Sequence, residues 1–309
     1  MILCVGLTPA QQQIMVFDHF RLGEVNRASQ VAWCTSGKVV NLAVAVRLLG
    51  EECLMLSTVG GQAAAQIDRE MEELGIGRRW VHTQSATRVC TTILDRGACS
   101  ITELVENGRP LLPGELEEFA AVYAEEAARA DVAAFSGSLP AGTPAAYYRR
   151  LVEKTRCPAV FDFRGEGLLG CLDLKPYVVK PNREELGQTM GRPIRDDDQL
   201  LAAMRELNRR GAQWVVITQG AGPVWVTSLS RAWRLYPPPA GEVVNPIGCG
   251  DALTAGIACA TRRGADIVEA VQLGMAAAAA NLQHLLPGRF DSAGIEERAR
   301  GVRVEELYG

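Results

Sequence analysis

Residues 243–260 have the sequence VVNPIGCGDALTAGIACA, a polar, glycine-rich turn that leads directly into an apolar helix. Backbone N–H groups at the start of such a helix point to one spot, and glycines allow an anion to approach them closely. The turn from Asn245 to Gly250 therefore predicts a phosphate-binding site. The carboxylate of Asp251 stands beside this predicted anion site, although like charges repel.

Two interpretations of Asp251 are open on the residues alone. An acidic residue in the first turn of a helix is favoured by the helix dipole, and Asp251 could be no more than that. Alternatively, Asp251 is a base that takes a proton from a substrate hydroxyl while the turn holds the phosphoryl group under attack.

Phosphate motifs of other enzyme classes are missing. Ser36-Gly37-Lys38 is followed by Val39 and lacks the upstream glycine of a P-loop. The dinucleotide fingerprint fails because Leu253 stands where its last glycine should be. There is no G-x-S-x-G, and the three histidines do not cluster with cysteines or carboxylates. Walker-type, hydride-transfer, zinc and His-dependent triad enzymes are all disfavoured.

Composition limits the class of protein and its partners. The 309 residues are 48% hydrophobic, and 32 Lys and Arg against 36 Asp and Glu give a net charge of −4. No basic block or membrane-length apolar run is present, so we expect neither a nucleic-acid nor a membrane partner. The nine cysteines are an odd number without a C-x-x-C pair, which is typical of a reducing, cytoplasmic location.

Strand-like and helical stretches alternate from about residue 110, which predicts parallel βαβ units and an α/β fold. Segments 12–35 and 79–106 break this pattern with alternating strand-like runs, and we expect both to form a small separate sheet, the lid sheet. Residues 224–238 look like a hairpin, and two long helices are predicted at about 250–263 and 266–284.

Seven separated segments carry a resemblance to a known family. They are RLGEVNRAS (21–29), SGKVVNLAVAVRLLG (36–50), TRVCTTILD (87–95), TELVENG (102–108), FSGSLPAG (135–142), KPNREEL (180–186) and PIGCGDALTAG (246–256). In this order they resemble the ribokinase-like (PfkB) carbohydrate kinases, within them the branch of fructose-1-phosphate and tagatose-6-phosphate kinases. The resemblance implies one kinase domain over residues 1–309, with a three-layer α/β/α core, a mostly parallel central sheet and the lid sheet.

For the phosphoryl group, the resemblance implies that Asp251 is the catalytic base. It implies that the amides of Gly248, Cys249 and Gly250 form an anion hole for the group transferred from ATP. These assignments agree with the second interpretation of Asp251 given above.

For the metal and phosphates, the resemblance implies that Asn182 and Glu185 act on Mg²⁺ through water and on the ATP phosphates. Lys180 is expected near the transferred phosphate. By itself, KPNREEL predicts a strand end, an N-cap at Asn182 and a capping-box partner at Glu185, so capping alone would explain the spacing.

For the nucleotide, the resemblance assigns Thr218 and Gly220, in ITQGAG, to the site lining, and Asn281 to the helix that flanks the adenine. A strand followed by a glycine turn is also an ordinary connection in α/β proteins.

For the acceptor, Gly37 and Asn41 match sugar-contacting positions of the family. Arg27, Arg88 and Ser138 match positions that hold the phosphate already present on a phosphosugar. Arginine suits a phosphate because its donors are bidentate, but a solvated surface arginine is an equally ordinary explanation.

Three acceptor positions depart from the family pattern. Gln12 stands where an aspartate normally fixes sugar hydroxyls, and Ser36 and Val39 replace two glycines of the G-G-K-G turn. We expect the new side chains to crowd the sugar surface or to require another backbone shape. Changed polar groups alter hydroxyl recognition strongly, so the identity of the sugar stays open.

The sequence therefore predicts an ATP- and Mg²⁺-dependent kinase that phosphorylates a hydroxyl of a small sugar or sugar phosphate. Two alternatives remain open. One is a catalytically weak sensor of a sugar phosphate or nucleotide, and the other is a kinase of a nonphosphorylated sugar or nucleoside. The resemblance also implies a homodimer formed through the lid sheet.

Overall fold

The computed structural model describes residues 1–308 and contains two β-sheets. The strands are β1 (Ile2–Val5), β2 (Ala10–Phe17), β3 (Gln30–Ser36), β4 (Cys53–Gly60), β5 (Gly77–Thr83), β6 (Arg88–Asp95), β7 (Ser100–Val105), β8 (Val132–Ser136), β9 (Ala159–Asp162), β10 (Val178–Val179), β11 (Trp214–Ile217), β12 (Val224–Thr227), β13 (Ala232–Tyr236) and β14 (Arg303–Tyr308). The helices are α1 (Lys38–Leu48), α2 (Ala64–Glu73), α3 (Pro113–Ala127), α4 (Tyr147–Val152), α5 (Glu166–Leu169), α6 (Arg183–Met190), α7 (Asp197–Arg210), α8 (Cys249–Arg262), α9 (Ile267–Asn281) and α10 (Ile295–Arg300).

The large sheet has the strand order β14-β13-β12-β11-β10-β9-β8-β1-β4-β5. The seven strands from β11 to β5 are parallel, and β12, β13 and β14 are added antiparallel at one edge. Its central strands are apolar on both sides, as parallel strands covered by helices must be. The predicted α/β class and the hairpin at residues 224–238 are confirmed.

Helices cover both faces of the large sheet and complete the three-layer architecture. One face packs against α1, α8, α9 and α10, and the other packs against α3, α4 and α7. The two long helices predicted near the C-terminus are α8 and α9, whose bounds lie within a few residues of those expected.

The lid sheet has the order β3-β2-β6-β7. Its inner face carries Ile14, Val16 and Leu94, which pack against Leu285 and Leu286 of the α/β core. The second segment predicted for the lid sheet, residues 79–106, begins too early. Its first strand, β5, pairs with β4 at the edge of the large sheet. A half-buried edge strand and a lid strand show the same alternation of apolar and polar residues, so the pattern could not separate them.

Among residues 1–308, no helix combines the length and apolar character needed to cross a bilayer. The nine cysteines are free thiols, and six of them are buried as small apolar side chains. The strands and helices of residues 1–308 therefore pack together without a disulfide.

Candidate active site

Many of the predicted site residues gather at the edge of the large sheet where its parallel strands end. Ser138 follows β8, Lys180 and Asn182 follow β10, and Thr218 follows β11; Asp162, which was not predicted, ends β9. Ligands of open α/β sheets bind outside the carboxyl ends of the strands. The same edge receives the N-termini of α1 and α8, so two sets of helix amides face it.

The turn before α8 is held in one shape by two buried asparagines. Asn245 accepts a hydrogen bond from the Ile247 amide at 3.0 Å through its side-chain oxygen. Asn281 donates to the Ile247 carbonyl at 2.9 Å and accepts from the Gly288 amide at 2.7 Å. Gly248 adopts φ +87°, a left-handed conformation that favours glycine. The turn is therefore preorganised by side chains that sequence analysis did not assign to this task.

The amides predicted to form the anion hole differ in their availability. Cys249 donates its N–H to the Pro246 carbonyl at 3.2 Å, which closes the turn. Within residues 1–308, the N–H groups of Gly248 and Gly250 have no hydrogen-bond acceptor. Two of the three predicted donors are thus free to bind an anion at the positive end of the helix dipole.

Asp251 is 5% exposed and lies against α1. The Asn41 side-chain amide donates to its Oδ2 at 2.8 Å. Burial raises the pKa of Asp251 to about 7, because the opposing effects of Lys38, the Asn41 hydrogen bond and Lys180 are smaller. A carboxylate that titrates near neutral pH suits general-base catalysis, and a side chain serving only the helix dipole would not need this burial.

Asp162 is a fully buried carboxylate that sequence analysis missed. Its Oδ1 lies 3.0 Å from Lys38 Nζ and 3.3 Å from Lys180 Nζ, and its Oδ2 accepts from Thr254 Oγ1 at 3.2 Å. Burial alone would raise the pKa of Asp162, but the two ammonium groups hold it below its ordinary value. The sequence feature that could have identified Asp162 is its position as the only acidic residue of the apolar strand AVFD, at the carboxyl end where ligands bind.

The two lysines on Asp162 flank the start of α8. A Cβ atom on Gly250 would lie 3.6 Å from Lys180 Nζ, so Lys180 adjoins the predicted anion hole. Burial by itself would lower the pKa of Lys38, but the carboxylates of Asp162, Asp251 and Glu185 raise it well above its ordinary value. The side-chain nitrogen atoms of Lys38 and Lys180 therefore lie beside the start of α8 and its free amides.

Asn182 and Glu185 form the capping box that their spacing predicted. Asn182 Oδ1 accepts from the Glu185 amide at 2.8 Å, and Glu185 Oε2 accepts from the Asn182 amide at 2.9 Å. The other carboxylate oxygen, Oε1, lies 3.9 Å from Lys38 Nζ and 3.6 Å from the Arg164 guanidinium. Capping thus uses one oxygen of Glu185 and leaves the other facing the site.

Direct metal ligands are sparse. Across residues 1–308, no group of three or more His, Cys, Asp or Glu side chains is placed to hold a metal ion. Mg²⁺ keeps several water ligands and is usually bound through one or two carboxylates plus substrate phosphates. A single carboxylate oxygen of Glu185 beside the anion site fits that kind of binding.

A cleft of about 670 Å³ adjoins the turn at Cys249 and continues past Gly250. Thr218 and Gly220, which were predicted to line a nucleotide site, lie in the lining of this cleft, and most of the remaining surface is apolar. Asn281 lies on α9, which also contributes Met275 and Ala278 to the cleft lining, but its own buried amide is used by the turn and does not line the cleft. Its assignment to the nucleotide site stays a prediction.

Ser36, Asn41 and Val39 point into the protein. Ser36 and Asn41 are each 2% exposed, and Ser36 Oγ donates to Asn41 Oδ1 at 3.0 Å. Val39 packs beside Gly6, where an added Cβ would lie only 2.7 Å from its own. The predicted crowding of the sugar surface is therefore wrong. Gly37, with φ +94°, is the N-cap residue of α1.

Gln12 lies on the buried face of the lid sheet. Its side-chain amide donates to Thr92 Oγ1 at 2.6 Å, across the pairing of β2 with β6. Gln12 is therefore bound within the lid sheet at the position where the family pattern has a sugar-binding aspartate.

The three residues predicted to hold an acceptor phosphate are not together. Arg88 donates to the carbonyls of Thr8 and Glu106, both at 3.0 Å, and ties the lid sheet to the loop after β1. Ser138 accepts from Thr8 Oγ1 at 3.1 Å through its carbonyl, which places it near Arg88. Arg27 is exposed in the loop that follows the far end of β2.

The register of the lid sheet explains why Arg27 and Arg88 are apart. Arg88 pairs with Ala10 at the first residue of β2, whereas the loop with Arg27 begins after Phe17. Strands rise about 3.3 Å per residue, so the two ends are separated by roughly 23 Å. The predicted arginine pair does not form within one chain.

Similarity to solved structures supports the fold. A Thermotoga maritima protein named "possible 1-phosphofructokinase" is 22% identical, with 99% of each chain covered and a TM-score of 0.89. Phosphofructokinase-2 from Escherichia coli in complex with fructose-6-phosphate is 20% identical, with 97% of each chain covered and a TM-score of 0.82. Its tetrameric inhibited form is 21% identical over 97% of this chain and 99% of that one, with a TM-score of 0.86.

The family model of the pfkB family carbohydrate kinases matches residues 1–290, which include both sheets except β14 and every predicted site residue. The expected enzyme class, an ATP-dependent carbohydrate kinase, is that of the matched family. The chain therefore belongs to the pfkB family of carbohydrate kinases.

Proposed function

We propose that the protein transfers the γ-phosphoryl group of ATP to a hydroxyl of a small sugar phosphate, with hexose phosphates as the first candidates. One observation carries this proposal. Asp251, a buried carboxylate with a pKa near 7, lies directly beside the free amides at the start of α8. A proton acceptor next to an anion site is what an attack by a hydroxyl on a phosphoryl group requires.

In the proposed reaction, the acceptor oxygen forms a bond to the γ-phosphorus while the bond to the β-phosphate oxygen breaks and ADP leaves. Asp251 receives the proton of the attacking hydroxyl. The amides of Gly248 and Gly250, with the ammonium groups of Lys38 and Lys180, stabilise the charge on the transferred group. Asp162 holds both lysines at their positions.

Glu185 would hold Mg²⁺ through water, beside the nucleotide phosphates. When bound, the ion supplies positive charge to the phosphate oxygens and helps to align them. Asn182 and Glu185 are fixed for this task by the same capping box that begins α6.

The nucleotide base would occupy the apolar cleft beside Cys249 and Gly250. Val224, Leu253, Met275 and Leu282 contribute side chains to its lining, which can bury a flat aromatic base. Thr218 and Gly220 lie where the cleft meets the turn after β11 and are proposed to contact the nucleotide.

A phosphorylated acceptor is favoured by the resemblance to fructose-1-phosphate and tagatose-6-phosphate kinases and by the fructose-6-phosphate complex of phosphofructokinase-2 from E. coli. The acceptor would enter between the lid sheet and the carboxyl ends of β1 and β8, near Ser138 and Gly37. Closure of the lid sheet over this region would exclude water, which otherwise competes as a phosphoryl acceptor.

A homodimer through the lid sheet is also proposed. The lid sheet exposes Val31, Trp33 and Leu104 on its outer face and Ile101 and Val105 on its other face, and every residue of the edge strand β7 is exposed. An exposed apolar edge strand is normally paired or covered. The E. coli phosphofructokinase-2 structure in its tetrameric form shows that a protein of this fold assembles into oligomers.

The test is ADP release from ATP with a panel of hexoses, hexose phosphates and nucleosides, each also measured for binding by calorimetry. We expect turnover with at least one hexose phosphate and none with nucleosides. Binding of hexose phosphates without any ADP release would identify a sensor and contradict the kinase. Turnover with nonphosphorylated sugars or nucleosides alone would contradict the proposed acceptor class.

A further inference from the structure

Asp251 belongs to a chain of buried hydrogen bonds that starts at Ser36. The Ser36 hydroxyl donates to Asn41 Oδ1 at 3.0 Å, and Asn41 Nδ2 donates to Asp251 Oδ2 at 2.8 Å. Ser36 ends β3 in the lid sheet, Asn41 lies on α1, and Asp251 lies on α8. The chain therefore links the lid sheet to the proposed base through one side-chain amide.

We propose that Ser36 is a positioning residue that orients the Asn41 amide toward Asp251 and so favours the ionised, proton-accepting form of the base. The proposal rests on the proposed function only where it treats Asp251 as the base. Ser36 is one of the positions at which this chain departs from the glycine of the family pattern.

The chemistry of the three groups fixes the direction of the chain. An ionised carboxylate only accepts hydrogen bonds, whereas an asparagine side chain presents a donor group and an acceptor oxygen. The Ser36 hydroxyl gives Asn41 Oδ1 a donor, so the NH₂ group is directed to Asp251. Without the Ser36 hydroxyl, Asn41 Oδ1 would be buried without a hydrogen-bond donor. The present orientation of the Asn41 amide would then be less favourable.

Other charged groups also face Asp251, and none of them touches Ser36. Lys38 on α1 and Lys180 after β10 favour the ionised form, whereas Asp162 at the end of β9 opposes it. Cys249 on the same helix has a pKa raised to about 11, chiefly by burial, so its thiol stays neutral near pH 7. A substitution at Ser36 leaves these groups in place and reports on the Asn41 hydrogen bond.

The first experiment measures kcat against pH for the wild type, Ser36→Ala and Ser36→Gly. Weaker donation from Asn41 raises the pKa of Asp251, so the base is protonated at higher pH. We expect the acid limb of the profile to move up by about one pH unit, as for a weakened hydrogen bond to a charged group. Above the limb, kcat should return to near the wild-type value.

Ser57→Ala is the matched control. Ser57 is fully buried in β4 and its hydroxyl has no hydrogen-bond partner, so its removal tests the loss of a buried hydroxyl alone. We expect an unchanged acid limb. A loss of kcat in the Ser36 variants by the same factor at every pH would overturn the proposal and identify a purely structural role.

The second experiment does not depend on turnover. Protein labelled with ¹³C at aspartate carboxyl groups, with the Asp251 signal assigned from Asp251→Asn, is titrated without ligands. A higher midpoint for Asp251 in Ser36→Ala and Ser36→Gly would support the proposal even if no acceptor were phosphorylated, which would contradict only the proposed function. An unchanged midpoint in both folded variants would contradict the proposal whatever the activity.

Discussion

The proposed phosphoryl-transfer half of the site, called the core half, and its lid half are built in different ways. In the first, Asp251, Asp162 and Lys180 are buried and held by side chains from several elements of the α/β core. In the second, Arg27 is exposed and every residue of β7 is exposed. The side chains of the core half thus hold one another within one chain, whereas these parts of the lid half are open to solvent.

The largest expected effect tests whether the core half carries the chemistry. Asp251→Asn keeps the shape and the Asn41 contact region but removes the proton acceptor. We expect kcat to fall by about 10²-fold or more, as for loss of a positioned base, with ATP affinity close to the wild-type value. Steady-state ADP release and calorimetric titration with ATP measure the two quantities.

Asp196→Asn is the control for this substitution. Asp196 is an exposed N-cap of α7, and asparagine caps a helix as well as aspartate does. Its activity should be that of the wild type. Full activity in Asp251→Asn would exclude the proposed base and leave Asp251 as a residue that serves only the helix dipole.

The core half was also the part that the sequence predicted best. Asn245 to Asp251 and KPNREEL are local motifs, in which neighbouring residues form both the turn and the site. Asp162 and Lys38 were missed because their role comes from a contact between residues 124 positions apart in the chain. The misassigned β5 and the unforeseen contacts of Asn281 show the same limit, since the packed sheet and the closed turn decide what these residues contact.

The lid half was predicted least well, for a physical reason. The contacts of Arg27 and Arg88 depend on which end of β2 each residue adjoins. The alternation of apolar and polar residues in the sequence predicts strands, but it does not specify their order or register. The buried orientation of Ser36 and Val39 likewise depends on Asn41 and Gly6, which pack against them from other parts of the chain. Replacing glycine by Ser36 and Val39 therefore predicted crowding of the sugar surface, but both side chains are buried inside the protein.

The second prediction tests whether the buried ion pairs of the core half also stabilise the folded protein. Asp162→Asn leaves Lys180, which is 3% exposed, without a neutralising carboxylate. We expect the free energy of unfolding to fall by about 3 kcal/mol, as for a broken buried ion pair. Urea unfolding of the wild type and the variant at a series of pH values measures this difference.

The pH dependence of that difference has a definite sign. The pKa of Asp162 is lowered in the fold, so its stabilisation is present above the ordinary carboxyl pKa and is lost as the pH falls through the lowered value. The wild type and Asp162→Asn should therefore converge in acid. Asp173→Asn, which removes an exposed ion pair with Arg149, is the control and should change stability far less. Equal effects of the two substitutions would contradict a special role for Asp162.

The third prediction concerns the exposed lid half. Trp33→Glu places a charge on the outer surface of the lid sheet, where Trp33 is half-exposed. We expect the wild type to sediment as a dimer and the variant to associate at least about tenfold more weakly, as for loss of an aromatic interface residue. Analytical ultracentrifugation over a range of concentrations measures the dissociation constant.

Leu229→Glu is the control, because Leu229 is exposed in the turn between β12 and β13, on the large sheet. It should leave the association unchanged. A monomeric wild type, or equal weakening by both substitutions, would show that the lid sheet is not the interface and would leave its exposed apolar surface without this explanation.

The smallest expected effect lies at the edge of the core half, where β14 extends beyond the segment matched by the family model. Tyr236 lines the cleft that is proposed to hold the nucleotide base, and two side chains of β14 contact it. The Arg303 guanidinium lies 3.4 Å from the centre of the Tyr236 ring, and the Tyr236 hydroxyl donates to Glu305. Tyr236 is therefore held by side chains of β14, a strand that carries none of the residues proposed for phosphoryl transfer.

Arg303→Ala should raise KM for ATP roughly two- to fivefold, as expected for an exposed cation–π contact, and leave kcat unchanged. Arg231→Ala removes a similar contact with Trp233, at 4.7 Å and outside the cleft lining, and should leave both constants unchanged. Initial rates at varied ATP with saturating acceptor separate KM from kcat. A fall in kcat with unchanged KM would mean that β14 supports the rigid core half as a whole, because a residue that only shapes the nucleotide cleft acts through binding.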